Sequence, residues 1–224
     1  MIKNISNLGD AALYCDFGTE VNRETNTKVI EYFKSIKKEN INGVNNLTPS
    51  YNKLIISFDL KKINYQQIKK LIENIDIDTH DNQNHKKIEI PVCSDQSFSL
   101  DIKRLEKKLK LSSEKIYENF FNKELFCYMT GFIAGMPFLG DLNNNIRAKR
   151  LETPRVKVPK GSVGLTEQFA NIYTFESPGG WNIIGNTPLN IFDSSKEKNP
   201  NLINPGDTVI FKRITKDKYE NYNE

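Results

Sequence analysis

The chain has 224 residues, enough for two small domains or one large one. Leu, Ile, Val and Phe supply 63 of them, 28% of the chain, above the roughly 20% below which too little apolar surface can be buried to fold. Charged residues make up 27%, and no apolar run approaches the ~18 residues of a membrane span, so a globular, non-membrane protein is expected. The net charge of +4 comes from 26 Lys and 6 Arg, alongside 27 Asn and 25 Ile. An AT-rich genome imposes that bias on any protein. The Lys are scattered and Arg, the bidentate phosphate and guanine reader, is scarce, so nucleic acid is not an expected partner.

From the N-terminus, MIKNISNLGD carries one Lys but no apolar stretch behind it, so no signal peptide is expected. Cys15, Cys93 and Cys127 are odd in number and unpaired in spacing, against a disulfide framework or structural zinc. A reducing cytoplasm follows, with no metal site. Ala11 to Phe17 reads as a strand running into a turn at Gly18. Asn22 can cap a helix in which Val29, Ile30, Phe33 and Ile36 share a face, broken at Gly43. In NKLIISFDL, Leu54, Ile56 and Phe58 lie on one strand face, with Ser57 and Asp59 on the other. Asn64 and Gln67 form the two halves of a capping box ahead of Ile68, Leu71, Ile72 and Ile75. Strands, helix, strands, helix predicts an α+β sandwich of the ferredoxin-like kind over residues 1–78.

Residues 79–86 are uniformly polar and predict a linker; it holds both histidines, His80 and His85, which read as solvated loop residues. A Ser-His-Asp hydrolase is thereby excluded. Ile88, Ile90 and Val92 then alternate as a strand, with Pro91 pointing to an edge position. Two amphipathic helices follow, one carrying Ile102, Leu105 and Leu109, the other Ile116 and Phe120 behind Ser112 and Ser113. After Glu124 the pattern becomes short β-runs separated by turns: 9 of the 12 Gly and 7 of the 9 Pro fall between Gly131 and Gly206. That density predicts a barrel or closed sandwich over 87–218, with 219–224 as a disordered tail.

No G-x-x-x-x-G-K-[ST] or G-x-G-x-x-G loop is present, and GSVG at 161–164 lies between strands as a turn. Two segments invite a functional reading. In GFIAGMPFLGD, Gly131 and Gly135 let backbone approach a ligand or a second sheet, with Phe132 beside them. In SPGGWNIIG, Trp181 follows Gly179 and Gly180 directly and fits either a core anchor or the wall of a cleft. Arg155 lies between two prolines in TPRVKVP; a stiff loop presenting one guanidinium suits a carboxylate, and equally a surface ion pair.

The runs TPRVKVPKGSVG, SPGGWNIIGNTPLNIFD and NPGDTVIF, with LGDAAL, EVNRETN and TPSYNKLIISFD upstream, resemble the allophanate-hydrolase subunit 1 family, which includes the B subunit of 5-oxoprolinase and an inhibitor of a sporulation histidine kinase. The resemblance covers nearly the whole chain. It implies a ferredoxin-like domain followed by a cyclophilin-like β-barrel. It also implies a non-autonomous subunit that cleaves 5-oxoproline to glutamate with ATP hydrolysis. Its partners would be a homologous carboxyltransferase-like C subunit, together with an A subunit; which chain binds ATP is left open. On that reading Arg155 is the catalytic candidate, and Gly131, Phe132, Gly135, Ser177, Gly179, Gly180 and Trp181 contact substrate. The sequence departs from the family pattern at Phe120 (a His), at Ala134, at Phe169 (a Gln) and at Asn186 (an Arg). A binding protein that docks on a sensor histidine kinase, and an allophanate or urea-type amidohydrolase subunit, are the alternatives. Prolyl isomerisation would rest on fold analogy alone.

Overall fold

The computed structural model describes residues 1–78 and 85–222, and the chain divides into two compact units at His85/Lys86. In the N-terminal unit, strands β1 (Asn4–Asn7), β2 (Ala12–Asp16), β3 (Val44–Pro49) and β4 (Lys53–Phe58) form an antiparallel sheet in the order β1-β2-β4-β3. Helix α1 (Arg23–Glu39) starts where Asn22 accepts the Thr25 N–H at 2.9 Å. Helix α2 (Tyr65–Glu73) starts at a complete capping box, Asn64 and Gln67 each accepting the other's backbone N–H at 3.0 Å. The caps satisfy donors that the first helical turn leaves without partners. Val29 and Ile36 of α1 and Ile68 and Ile72 of α2 are buried with Leu13, Cys15, Leu54, Ile56 and Phe58, every second residue of the two central strands. Each such aliphatic side chain contributes about 1.5–3 kcal/mol on burial.

The second unit is a closed seven-stranded barrel. Its strands are β5 (Lys87–Cys93), β6 (Glu124–Thr130), β7 (Pro137–Gly140), β9 (Ser162–Thr166), β10 (Phe169–Ile172), β12 (Asn182–Asn186) and β13 (Thr208–Ile214), in the order β10-β7-β6-β13-β5-β12-β9. Helices α3 (Ile102–Leu109) and α4 (Ser113–Phe121) add Ile102, Leu105, Ile116 and Phe120 to a core with Leu125, Leu139, Val163, Leu165, Ile172 and Phe211. Gly185 lets β12 cross close to β5, since a Cβ there would stand 2.8 Å from the Cys93 carbonyl oxygen. A separate ribbon, β8 (Arg155–Val158) paired with β11 (Ser177–Gly179), lies outside the barrel ladder.

Two expectations are corrected. Pro91 does not lie on an edge strand: β13 runs parallel to β5 over seven positions, and β12 joins it only at Cys93↔Asn186, so Pro91 lies outside that second ladder. The C-terminus is not a disordered tail from residue 219. Thr215 caps a short helix, α5 (Lys216–Glu220), and Tyr219 packs on Phe98 with ring centres 4.5 Å apart and donates its hydroxyl to Asn186 Oδ1 at 2.9 Å. Side-chain contacts of one tyrosine order what the local sequence would leave frayed. The expected linker falls mostly on 79–84, outside the described residues, as do His80 and residues 223–224.

Candidate functional site

On β10, Ala170 and Ile172 point into the main barrel core, so Asn171 and Tyr173 face the opposite way. There Tyr173 joins Met136, Val158 and Ile183 in a second apolar cluster, edged by Ile133 and Phe138. Val158 belongs to β8, so the β8–β11 ribbon closes over this face of the sheet. Arg155 opens β8 opposite Gly179.

Arg155 is held from below. Its Nη2 donates to Asp101 Oδ1 at 2.7 Å, and Asp101 Oδ2 accepts the Ile183 N–H at 2.7 Å. The Asp101 backbone N–H returns a bond to the Ile183 carbonyl at 3.0 Å. The Asp101 side chain is 4% exposed and that of Arg155 28%. Asp101 precedes α3 yet makes no side-chain capping bond; its carboxylate is committed to Arg155 and β12 instead. With Nη2 taken, Arg155 Nη1 is buried and has no partner.

Tyr173 is the hub of the site. Burial pushes its hydroxyl above the ordinary tyrosine value; the Asn171 amide, the Trp181 backbone N–H, Arg150 and Arg155 pull the other way, in that order. The hydroxyl lies hard against Gly179, where a Cβ would stand 2.1 Å from it. The exposed Arg150 guanidinium lies over Gly180, its Nε 3.4 Å from where a Cβ would be. Trp181 stands edge-on to Phe138, ring centres 5.7 Å apart, as a half-buried wall. Three buried polar atoms here lack partners: Arg155 Nη1, Asn171 Oδ1 and Ser177 Oγ. Buried polar groups in folded proteins are almost always bonded, so this group of exceptions beside two guanidiniums makes the ribbon the candidate site.

Of the residues expected at a site, Arg155, Ser177, Gly179, Gly180 and Trp181 come together on the ribbon and the turn after it. Gly131 and Gly135 lie in the loop leading to Met136, where the Gly131 N–H donates to the Met136 carbonyl and Gly135 abuts the Phe192 ring. Phe132 stands apart, 82% exposed at φ 67°. Sequence reasoning missed Asp101, Arg150, Asn171 and Tyr173. An acidic residue before a helix reads as a cap, and only the alternation along β10 could have turned Asn171 and Tyr173 away from the core. The departures from the family pattern have structural roles. Phe120 is fully buried and stacked on Phe211 at 4.9 Å. Asn186 Nδ2 donates to the Lys160 carbonyl at 2.9 Å, Phe169 packs edge-on to Tyr128, and the Ala134 carbonyl accepts from Thr174 Oγ1 at 2.8 Å.

A groove of about 830 Å³ lies in the N-terminal unit between the end of α1 and α2, lined by Ile41, Ile63, Leu71 and Ile75 among others. None of its lining residues carries a buried unpartnered polar atom. The three cysteines are free and buried. Among the described residues no trio of His, Cys, Asp or Glu could hold a metal ion, and no helix is long and apolar enough to cross a membrane.

Residues 3–203 match the family model of the carboxyltransferase domain, subdomains C and D. The chain is 32% identical to the B subunit of 5-oxoprolinase from Bacillus subtilis (strain 168), over 98% of this chain and 96% of that protein. The structure aligns with the crystal structure of TTHA0988 at a TM-score of 0.82 and 27% identity, covering 91% of this chain and 40% of that one. K. lactis urea amidolyase shares the fold, with a TM-score of 0.78 at 18% identity over 96% of this chain and 15% of its own. A match over nearly the full length, with the barrel and its Pro/Gly turns in place, makes this chain a member of the carboxyltransferase-domain family, in the branch that holds the 5-oxoprolinase B subunit, together with allophanate hydrolase subunit 1.

Proposed function

We propose that this chain is the B subunit of an ATP-dependent 5-oxoprolinase and that the ribbon site holds 5-oxo-L-proline. The observation that carries the reading is Arg155: a guanidinium with one nitrogen locked on Asp101 and the other buried and unpartnered. A substrate carboxylate supplies the missing acceptor for Nη1 in a charge-assisted hydrogen bond. Arg150 adds positive charge, and Trp181 with Phe138 gives a flat apolar wall for a five-membered ring. The Tyr173 hydroxyl, held neutral by burial, is a donor for oxygen charge that grows as the lactam carbonyl is attacked. ATP supplies the phosphoryl group that activates that carbonyl in the complex. The expected partners are a homologous carboxyltransferase-like C subunit, together with an A subunit. We read the N-terminal unit as ferredoxin-like, since the order β1-β2-β4-β3 with a helix after each strand pair is a βαββαβ sandwich with its last strand moved to the front. The cyclophilin-like reading of the barrel rests on the family resemblance.

A second reading, a protein that docks on a sensor histidine kinase, draws on Phe132 and Val156, which are 82% and 80% exposed. The test for both is purification of the tagged chain from its own host, identification of what comes with it, and assay for ATP-dependent glutamate release from 5-oxoproline. A stoichiometric carboxyltransferase-like partner with glutamate release, abolished by Arg155→Ala, is expected. A lone chain, or one carrying a kinase and releasing no glutamate, overturns the enzyme-subunit reading.

A further inference from the structure

We propose that the outer face of α3 binds a phosphate chain, and that this subunit thereby holds the triphosphate of ATP beside the ribbon. The identity of the nucleotide rests on the proposed function; the anion site itself stands on four cations. An open hollow of about 530 Å³ lies against α3, lined by Lys103, Arg104, Lys107 and Lys108, with no carboxylate in its lining. Glu106 is the one acidic residue of α3. One of its oxygens accepts the Ser113 N–H at 2.8 Å and the other pairs with Lys103 at 3.0 Å. Lys107 and Lys108 are exposed, and among the described residues no carboxylate pairs with either.

Arg104 makes this face more than a solvated stripe of lysines. Its Nη1 donates to Asn182 Oδ1, and Asn182 is fully buried. The Asn182 Nδ2 is committed to the Leu165 and Lys149 carbonyls at 3.0 and 3.2 Å, so its oxygen is fixed toward α3 and holds the guanidinium in place. A guanidinium anchored at one nitrogen keeps a planar edge of N–H donors for phosphate oxygens. Residues three and four apart are neighbours on a helix, so Arg104, Lys107 and Lys108 form one set of contacts that a chain of phosphates can follow and a single phosphate cannot span. With no G-x-x-x-x-G-K-[ST] loop in the sequence, side chains supply the whole grip. The position ties this face to the ribbon. Asp101, three residues before Arg104, accepts from both Arg155 and the Ile183 N–H, and Asn182 lies between Trp181 and Ile183 in the chain. A phosphate on Arg104 therefore lies about one helical turn from the residue that holds Arg155.

The test is calorimetric titration of the full chain with tripolyphosphate, ATP, inorganic phosphate and citrate, a trianion of different shape. Tripolyphosphate and ATP are expected to bind at least about tenfold more tightly than phosphate or citrate, and more weakly as salt rises. Lys107→Glu with Lys108→Glu should lower both affinities at least about tenfold. Lys69→Glu with Lys70→Glu, the same charge change on α2, should leave them in place. Arg104→Lys, which keeps the charge and loses the fork, should weaken both by a few-fold. No tripolyphosphate binding, equal binding of citrate, or an affinity that survives the α3 double variant overturns the site. Tripolyphosphate binding without ATP binding, or tighter binding of a single-stranded oligonucleotide than of ATP, overturns the nucleotide assignment. The same protein is titrated with 5-oxo-L-proline; failure there overturns the ribbon reading, while the α3 site stands or falls on its own titrations.

Discussion

Asp101→Ala tests the frame of the site. The substitution removes the acceptor of Arg155 Nη2 and of the Ile183 N–H, both bonds at 2.7 Å. Bonds to a charged group contribute about 1.5–3 kcal/mol each, and breaking a buried ion pair costs about 3–5 kcal/mol. Asp101 is buried, but Arg155 keeps 28% of its side chain exposed and can recover water. The stranded Ile183 amide cannot. The expected loss is therefore at the low end, about 3 kcal/mol, measured by urea unfolding with a probe in the barrel. Arg155→Ala leaves the nearly buried Asp101 carboxylate with the Ile183 N–H as its remaining bond, so it should cost a comparable amount, and the two changes together should fall short of their sum by roughly 1–2 kcal/mol. A loss below about 1 kcal/mol, or strict additivity in the double variant, would refute the buried-lock account.

Gly179→Ala would put a methyl 2.1 Å from the Tyr173 hydroxyl; displacement of the ring should cost about 1–3 kcal/mol and lower 5-oxoproline affinity, read by thermal melting and titration. Asn186→Ala removes the acceptor of Tyr219 and the donor to Lys160, so hydrogen exchange in α5 should rise sharply while exchange in β9 stays slow. Lys53, then the Gly18 N–H, holds the Asp16 carboxyl below the usual carboxylate range. Its contribution, about 1 kcal/mol or less at this part-exposed position, is present above the unfolded carboxylate pKa of about 3.9 and lost as pH falls through the lower folded value. Asp16→Asn should flatten acid unfolding of the N-terminal unit; an unchanged acid midpoint counts against the pair. Burial pushes the Cys15 thiol up to about 12 and the Cys127 thiol further still. Both should resist a thiol reagent at pH 8 until the protein is unfolded, and fast native labelling would contradict the packing.

What could be read from the residues was what local chemistry decides. The Asn22 and Asn64 caps act within one turn, so the starts of α1 and α2 are legible to within a residue, while their ends, at Glu39 and Glu73, fall short of the Gly43 break and of Ile75. The alternation of Leu54, Ile56 and Phe58 announces β4, whereas β1 (NISN) and β3 (VNNLTP) are too polar and exposed to signal strands, being held by pairing with distant neighbours. Arg155 stood out as a rare arginine between prolines. Its partner lies 54 positions away, in a residue whose local context points to helix capping. Ser177 is marked only by the SPGGW run it opens and Asn171 carries no local mark at all; folding leaves the side-chain oxygens of both buried and unpaired.

The parallel pairing of β13 with β5 also sets a timetable for synthesis. The Lys86 amide must wait for Asp207, 121 positions later. At about 5–20 residues per second that is a delay of roughly 6–24 s. During it, Ile88, Ile90 and Val92 have been made while the strand that covers them along its full length has not. An apolar strand with an open edge is a template for wrong pairing, so the yield of this barrel in the cell depends on what shields β5 until residue 214 has emerged.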